Sequence, residues 1–247
     1  MKTIKFIGIP ALIVMLAVGS CSKNDNVAPV ASADVSTDDA ATIMANSLSS
    51  NSGGMASASA DVALNAQVTF NANPGCGGTK TYSFTRQNPQ GATTTYSYSF
   101  NYTYTLNCVN NTPDNVTSSA TSTGSFSGPN LTSNDTGTST FTVGGLSPSA
   151  TAYTLNGEYK RTGSFTRKTG NMATGNSNVD ITVSNLMVSK TGGVASGSAT
   201  YTLSGSSAKG SFSFTGTITF IANNQANVVI NGTTYLVDLT TGSATKQ

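Results

Sequence analysis

The stretch TTYSYSFNYTYTLNC, residues 94–108, constrains the fold more than any other part of the chain. An aromatic or apolar side chain stands at every even position from Tyr96 to Leu106, and Ser, Asn or Thr stands between them. Alternation with a period of two is typical of a β-strand whose two faces meet different surroundings. The stretch therefore predicts a long strand with one aromatic face and one hydroxyl-rich face.

The aromatic face allows two interpretations, which the sequence leaves open. It is either the core side of a sheet or an exposed platform that binds sugar rings or another apolar ligand. A row of leucines would favour the core, whereas each tyrosine carries a hydroxyl that needs water or a partner. The candidate ligand-binding residues are Tyr96, Tyr98, Tyr102 and Tyr104.

Period-two alternation continues through most of the chain after Asp61, interrupted by Gly, Asn, Pro and Ser. It predicts strands in the segments VALNAQVTF, KTYSFTR, STFTV, VDITVSNLMV, SATYTLSG and GSFSFTGTITFIA. No helical crossovers separate these segments, so the strands are expected to be antiparallel. The predicted fold class is all-β, a single antiparallel meander forming an open or curved sheet, half-barrel or sandwich.

Two Asn-Gly pairs are candidate hairpin turns, because both residues of a type I′ turn need a positive φ. They are Asn231-Gly232, between two β-rich runs, and Asn156-Gly157. A weak repeat of about 48 residues is also visible, with YTL at Tyr104, Tyr153 and Tyr201, each followed by a GSF. The sequence allows either repeated hairpin units or chance recurrence in a biased composition.

Residues 36–54 predict one short helix and a glycine-rich linker. Ser36 and Asp39 have the spacing of a capping box, and Gly53-Gly54 ends the helix. A helix this short is marginal alone, so its apolar residues Ile43, Met44 and Leu48 are expected to pack on the sheet.

The N-terminus, MKTIKFIGIPALIVMLAVGSC, combines two lysines, an apolar run too short to span a membrane comfortably, and small residues before Cys21. This order resembles the lipobox of bacterial lipoproteins, whose cysteine is lipidated and becomes the first residue. The following SKNDN partly resembles the export signal of Bacteroidota surface lipoproteins. The resemblance implies a secreted lipoprotein of Bacteroidota type, anchored by palmitate or similar chains on Cys21 in the outer membrane and facing the cell surface.

The expected organisation is a signal peptide over 1–20, a flexible tether over 21–35, the helix and linker over 36–54, and an antiparallel β domain over 55–247. Without the signal-peptide lysines Lys2 and Lys5, the formal charge of +2 becomes zero. No basic surplus remains for nucleic acid, so the membrane is the expected partner, together with a glycan or an envelope protein.

The remaining cysteines, Cys76 and Cys108, predict a disulfide if the chain is exported. A hairpin turning at NPQG near residue 90 would place Tyr104, not Cys108, opposite Cys76. The bridge therefore requires a turn nearer Gly91-Ala92, a bulge, or a bend in the NPGCGG loop.

Candidate catalytic residues are nearly absent. The chain has no histidine, which removes the usual acid–base dyads and the commonest metal ligand. A pair such as Asp180 and Asp238 could serve a carboxylate-dependent hydrolase, but no spacing supports it. The basic cluster Lys160, Arg161, Arg167 and Lys168 allows either an anionic-glycan contact or a solvated hairpin. We expect no catalytic residue, cofactor or metal, and predict a non-enzymatic envelope protein with a structural, adhesive or binding role. The alternatives are a module that binds a glycan or apolar ligand on the tyrosine face and, third, the hydrolase.

Overall fold

The structure, a computed structural model, describes residues 35–88 and 93–247. The predicted signal peptide, Cys21 and the tether up to residue 34 lie outside the described residues. Two helices, α1 and α2, precede the strands. The helices are Thr37–Leu48 and Met55–Ala72, separated by a single 3-10 turn over Ser50–Ser52. The strands β1 to β11 are Thr79–Gln87, Thr95–Val109, Thr112–Ser127, Leu131–Gly144, Ala152–Arg167, Thr174–Ser189, Val194–Ser207, Gly210–Ile221, Gln225–Ile230, Thr233–Asp238 and Ala244–Lys246.

The strands form one antiparallel sheet in which each strand pairs with the next along the chain. This confirms the all-β fold class and the open meander. The predicted turn at Asn231-Gly232 is also confirmed. Asn231 and Gly232 have φ values of 48° and 77°, and Ile230 pairs with Thr233 across the turn. Such a turn matches the twist of the two strands and therefore fixes their register.

Both helices pack on one face of the sheet, which we call the inner face. Helix α2 crosses β2 to β7, and α1 contacts β5 and β9 to β11. The inward residues of the strands and the covered sides of the helices form a single buried cluster. The sheet thus supplies one wall of the core and the helices supply the other. Neither helix combines the length and apolar character that crossing a bilayer requires.

Helix α1 begins as predicted. Ser36 Oγ accepts a hydrogen bond from the Asp39 backbone N–H, and the Asp39 carboxylate accepts one from the Ser36 backbone N–H. This reciprocal pair satisfies two N–H groups that the helix itself cannot bond. Ile43, Met44 and Leu48 are buried against the sheet, as expected.

Helix α2 corrects the sequence interpretation, which placed a strand over 62–70 and only one helix in the chain. The alternation was misleading because two residues of its supposed apolar face, Leu64 and Val68, are exposed. Beyond Ser59 the buried residues instead recur at the three- and four-residue spacing of one helix face. The buried residues of α2 are Met55, Ala56, Ser57, Ala58, Ser59, Asp61, Val62, Ala63, Ala66 and Thr69. Many of these side chains are small, and alanine favours the helix intrinsically, so α2 can lie close to the sheet.

The prediction of a turn at Asn156-Gly157 is wrong. Strand β5 continues through both residues, with a bulge between Leu155 and Gly157. Gly157 has a φ of 146°, and a Cβ atom there would lie 2.0 Å from the Thr140 carbonyl oxygen. Only glycine fits this close approach, so the Asn-Gly pair marks a bulge within a strand rather than its end.

The repeat of about 48 residues does not correspond to a repeated structural unit. Its YTL segments lie on β2, β5 and β7, which are three and then two strands apart in the sheet. The second YTL shares β5 with its GSF, whereas the other GSF segments lie on the following strand. The recurring motifs therefore occupy different positions in the meander.

Cys76 and Cys108 form the predicted disulfide, with Cα atoms 5.5 Å apart. The first two strands pair in a register that joins Tyr82 to Tyr102. Continued beyond β1, this register places position 76 opposite position 108. It corresponds to a hairpin centred near Ala92, one of the arrangements that the sequence left open; residues 89–92 themselves lie outside the described part of the chain.

Candidate functional site

The tyrosine face of β2 is buried. Tyr98, Phe100, Tyr102 and Tyr104 are each at most 3% exposed, and their rings follow one another at centroid distances of 6.0 to 6.1 Å. Helix α2 covers this strand and its neighbour β3. The core interpretation is therefore confirmed, and the interpretation as an exposed platform is wrong for these positions.

Tyr96, the fourth tyrosine proposed to bind a ligand, differs from the others. It is half-buried near the end of the strand and lines an open cavity of about 450 Å³ together with Asn88 and Phe126. The Tyr96 backbone N–H donates to Asn88 Oδ1 at 2.9 Å. One tyrosine at the rim of the sheet does not form the row of rings that a stacking platform requires.

The buried tyrosine hydroxyls bond to aspartates. Tyr102 donates to Asp61 Oδ2 at 3.0 Å, and Tyr104 donates to the Asp61 backbone carbonyl at 3.3 Å. Tyr98 donates to Asp135 Oδ2 at 3.2 Å. Burial raises the pKa of all three tyrosines, and the nearby carboxylates raise it further. These hydroxyls therefore remain protonated and act as hydrogen-bond donors inside the core.

All three arginines of the chain pair with buried aspartates. The pairs are Arg86 with Asp61, Arg161 with Asp135, and Arg167 with Asp39. Two of the pairs join a helix to the sheet, because Asp39 and Asp61 lie on α1 and α2. Breaking a buried pair leaves a charge without compensation, so these contacts specify where each helix sits.

The pair Arg161–Asp135 is enclosed, with both side chains at most 7% exposed, and the pair Arg167–Asp39 is buried to the same extent. Arg161 also donates to Tyr98 Oη at 2.7 Å and to the Asn46 backbone carbonyl of α1 at 3.1 Å. Ser133 Oγ donates to Asp135 at 2.7 Å. Burial alone lowers the pKa of Arg161, but the Asp135 carboxylate and the neighbouring tyrosines outweigh it, so the pKa lies above its ordinary value.

Asp61 experiences opposing influences. Burial raises its pKa above the ordinary value of 3.8, and the Arg86 guanidinium and the Tyr102 hydroxyl offset that increase only in part. Arg86 remains partly exposed and lies over the Phe84 ring, 5.0 Å from its centroid. Water therefore screens this pair more than it screens the pair formed by Arg161.

We expect Asp61→Asn to change how stability depends on pH. Because the folded-state pKa of Asp61 is raised, the folded state binds more protons than the unfolded state between the two pKa values. The stabilisation from this group is complete below the unfolded pKa and is lost as pH rises through the folded pKa. In urea titrations, the free energy of unfolding of the wild type minus that of the variant should therefore fall as the pH rises above the ordinary aspartate pKa of 3.8. A difference that is constant or rises with pH would contradict this assignment.

Three residues of the basic cluster noted in the sequence lie on β5, on its two faces, and Lys168 follows the end of the strand. Arg161 and Arg167 point into the core, whereas Lys160 points outward and contacts Glu158 and Asp180, both at 3.1 Å. The Lys168 ammonium donates to the Gly128 carbonyl at 2.8 Å. Neither the anionic-glycan contact nor the solvated hairpin describes this arrangement, because half of the cluster is buried.

The carboxylate pair considered for hydrolysis does not stand out as a site. Asp180 pairs with Lys160, and Asp238 accepts hydrogen bonds from the backbone N–H groups of Thr240 and Thr241. Within residues 35–88 and 93–247, no cluster of three acidic or cysteine side chains could hold a metal ion. Each of the two carboxylates has a structural partner.

The outer face of the sheet carries hydroxyl and amide side chains in rows that cross β1 to β8. Row A, joined strand to strand by the pairing register, is Thr85, Ser99, Thr123, Thr136, Thr162, Asn178, Ser204 and Ser213. Row B runs beside it and consists of Gln87, Ser97, Ser125, Asn134, Ser164, Asn176, Ser206 and Ser211. Neither row contains a charged or aromatic residue. All of these side chains are exposed except Ser204, which is half-buried.

A shallow groove of about 640 Å³ lies between the two rows over β2 to β6. Thr123, Thr136 and Thr162 line it from row A, and Asn134 and Ser164 line it from row B. A second outer-face groove, of about 520 Å³, is bordered by Glu158 and Asp180 and is therefore charged. Sequence alternation predicted the hydroxyl-rich face of β2, but the alignment of such residues across eight strands depends on the register.

A smaller cavity, of about 140 Å³, lies beside α1 and is lined mainly by apolar groups, including Phe126 and Leu131. Asn46 also borders it. Its Nδ2 donates to Ser133 Oγ at 3.2 Å, whereas Oδ1 is buried and has no hydrogen-bond partner. This volume is close to that of cavities that hold a single small aromatic molecule or remain empty.

The sequence matches no protein family model, and neither a curated protein nor a solved structure is detectably similar to it.

Proposed function

We propose that the chain is a lipid-anchored protein of the bacterial outer membrane, exposed at the cell surface, with a non-catalytic structural, adhesive or binding role. The lysines, apolar run, small residues and Cys21 at the N-terminus support the anchor. Two or three acyl chains on one cysteine hold a protein stably at a bilayer, whereas one chain holds it only marginally.

The main support for a non-catalytic role is the pairing of the buried carboxylates with arginines. Asp39, Asp61 and Asp135 are the carboxylates that burial could have tuned for acid–base chemistry, and each is paired with an arginine. Two of these pairs join a helix to the sheet, and Arg161 of the third donates to the Asn46 carbonyl of α1. Their position supports a role in holding the fold together rather than in contacting a substrate.

The body of the protein is suited to presenting a surface. Its helices cover the inner face, so the outer face of the sheet remains as the broad surface that a partner can reach. Hydroxyl and amide groups dominate that face, which favours a glycan or the polar surface of an envelope protein as partner. The neutral charge of the chain after the signal peptide gives no reason to expect nucleic-acid binding.

The anchor is tested by labelling expressing cells with radioactive palmitate. The wild type should incorporate label, Cys21→Ala should lose it, and Ser22→Ala should keep it because the cysteine remains. Label that persists in Cys21→Ala would contradict the anchor. Protease added to intact cells then tests exposure, because a surface protein should be cleaved and one that faces the periplasm should be protected.

A further inference from the structure

We propose that the groove between row A and row B binds a neutral polysaccharide chain that lies across strands β2 to β6. This inference rests on the proposed export of the chain, because export brings the outer face into contact with such polymers. It differs from the glycan hypothesis made from the sequence, which used the tyrosine face that the helices cover.

The side chains of the groove match an uncharged, hydroxylated ligand. Ser and Thr hydroxyls both donate and accept hydrogen bonds, and the Asn134 amide does the same with separate atoms. A sugar hydroxyl can therefore find a partner in either orientation. Rows A and B carry no lysine or arginine, so an anionic polymer would lose hydration without gaining an ion pair.

The spacing of the groove also fits an extended sugar chain. Neighbouring strands lie about 4.8 Å apart, close to the advance of one pyranose ring along an extended glycan. Five strands, β2 to β6, therefore offer a path of roughly 19 Å with polar side chains on both sides. The backbone at Gly124 and Gly163 forms part of the groove floor.

Row A is also organised before a ligand arrives. Threonine has a restricted χ1, and Thr136 Oγ1 donates to the Thr162 backbone carbonyl at 3.3 Å. Hydroxyls held by a rigid sheet lose little conformational entropy on binding. The threonine methyl groups offer small apolar surfaces to the C–H groups of a sugar ring.

Other classes of partner fit this groove less well. The centres of protein interfaces are rich in aromatic and other apolar anchors, and neither row provides one. The second outer-face groove is bordered by the exposed carboxylates of Glu158 and Asp180, which makes it less suited to a neutral chain. Asp135 also borders the groove between rows A and B, but its carboxylate is buried and paired with Arg161. The groove between rows A and B is therefore the better match for a neutral polysaccharide.

The test is affinity electrophoresis of the full-length protein in detergent, with dextran, glucomannan or a soluble β-glucan in the gel and alginate as the anionic comparison. At least one neutral polymer should retard the protein, and alginate should not. The triple variant Thr123→Val, Thr136→Val and Thr162→Val keeps the branched shape but removes three hydroxyls. It should bind at least tenfold more weakly, since each lost hydrogen bond is worth about 0.5 to 1.5 kcal/mol.

Two control variants make the result specific to the groove. Serine at the same three positions keeps the hydroxyls and should bind within about threefold of the wild type. Valine at Thr81, Thr103 and Thr140, on the same outer face but two rows away, should also leave binding intact. The proposal would be overturned if no neutral polymer retarded the protein or if alginate bound more strongly. It would also be overturned if the two valine variants bound equally well. Cys21→Ala distinguishes polysaccharide binding from lipid anchoring. This variant loses the lipid, but the neutral polymer should retard it as much as it retards the wild type.

Discussion

Replacing Arg161 by alanine is expected to lower the free energy of unfolding by about 3 to 5 kcal/mol. The substitution leaves the Asp135 carboxylate buried without its counter-charge and removes a donor to the Asn46 carbonyl of α1. Charge burial without a partner is among the largest single-residue effects on stability. Urea denaturation followed by circular dichroism measures the change.

Lys160 provides a matched control because it is the preceding residue on the same strand. It points outward and pairs with exposed carboxylates, so Lys160→Ala should change the free energy of unfolding far less than Arg161→Ala does. The double variant Arg161→Ala with Asp135→Ala should be less destabilised than the sum of the two single variants, since no unpaired charge remains. Equal effects of Lys160→Ala and Arg161→Ala would show that Arg161 is not buried as described.

Replacing Tyr102 by alanine is expected to lower the free energy of unfolding by about 3 to 5 kcal/mol, because it opens a cavity beneath α2. The ring is 2% exposed and stacks against Phe84, Phe100 and Tyr104. Tyr102→Phe keeps the ring and removes only the hydrogen bond to Asp61, so its expected cost is about 1 to 3 kcal/mol. Thermal and urea unfolding of both variants provide the comparison.

The neighbouring residue Thr103 faces solvent, so Thr103→Ala should cost less than about 1 kcal/mol. The predicted order of destabilisation is therefore Tyr102→Ala, then Tyr102→Phe, then Thr103→Ala. If Tyr102→Ala were as stable as the wild type, the ring could not be buried in the stack. The interpretation of the tyrosines as an exposed platform would then be supported again. The two strand neighbours thus test which face of β2 belongs to the core.

These two predictions share a physical cause, which is the polar character of the core. Apolar side chains are supplemented by tyrosines whose hydroxyls need partners, and the aspartates provide them. An aspartate buried with a tyrosine alone would be unfavourable, and the arginines balance the charge. The core therefore depends on a few polar contacts that must all form together.

Several features could be predicted from the sequence because local interactions determine them. The capping box at Ser36 and the turn at Asn231-Gly232 depend on residues within four positions of one another. The sequence also predicted that Cys76 pairs with Cys108. It did not decide which of several hairpin registers brings the two cysteines together. The burial of two arginines could also have been predicted from alternation along β5. Arg161 and Arg167 are an even number of residues from Tyr159 and therefore lie on the same buried face.

Other features depended on contacts that are distant in sequence. The segment over 62–70 fits a strand by alternation, but the need to cover the inner face of the sheet makes it part of helix α2. Gly157 resembles a turn until the Thr140 carbonyl is seen to lie against it. In both cases a local preference is overridden by packing against another element, which no window of the sequence contains.

The sequence by itself determined that the chain forms long alternating strands, because the period of side chains along a strand follows from backbone geometry. It also determined that one face would be aromatic and the other rich in hydroxyls. Only the tertiary structure decided that the aromatic face is the buried one, since that depends on where α2 and the aspartates lie. The alignment of the hydroxyls into rows likewise depended on register, which is set jointly by turns, bulges and burial across the whole sheet.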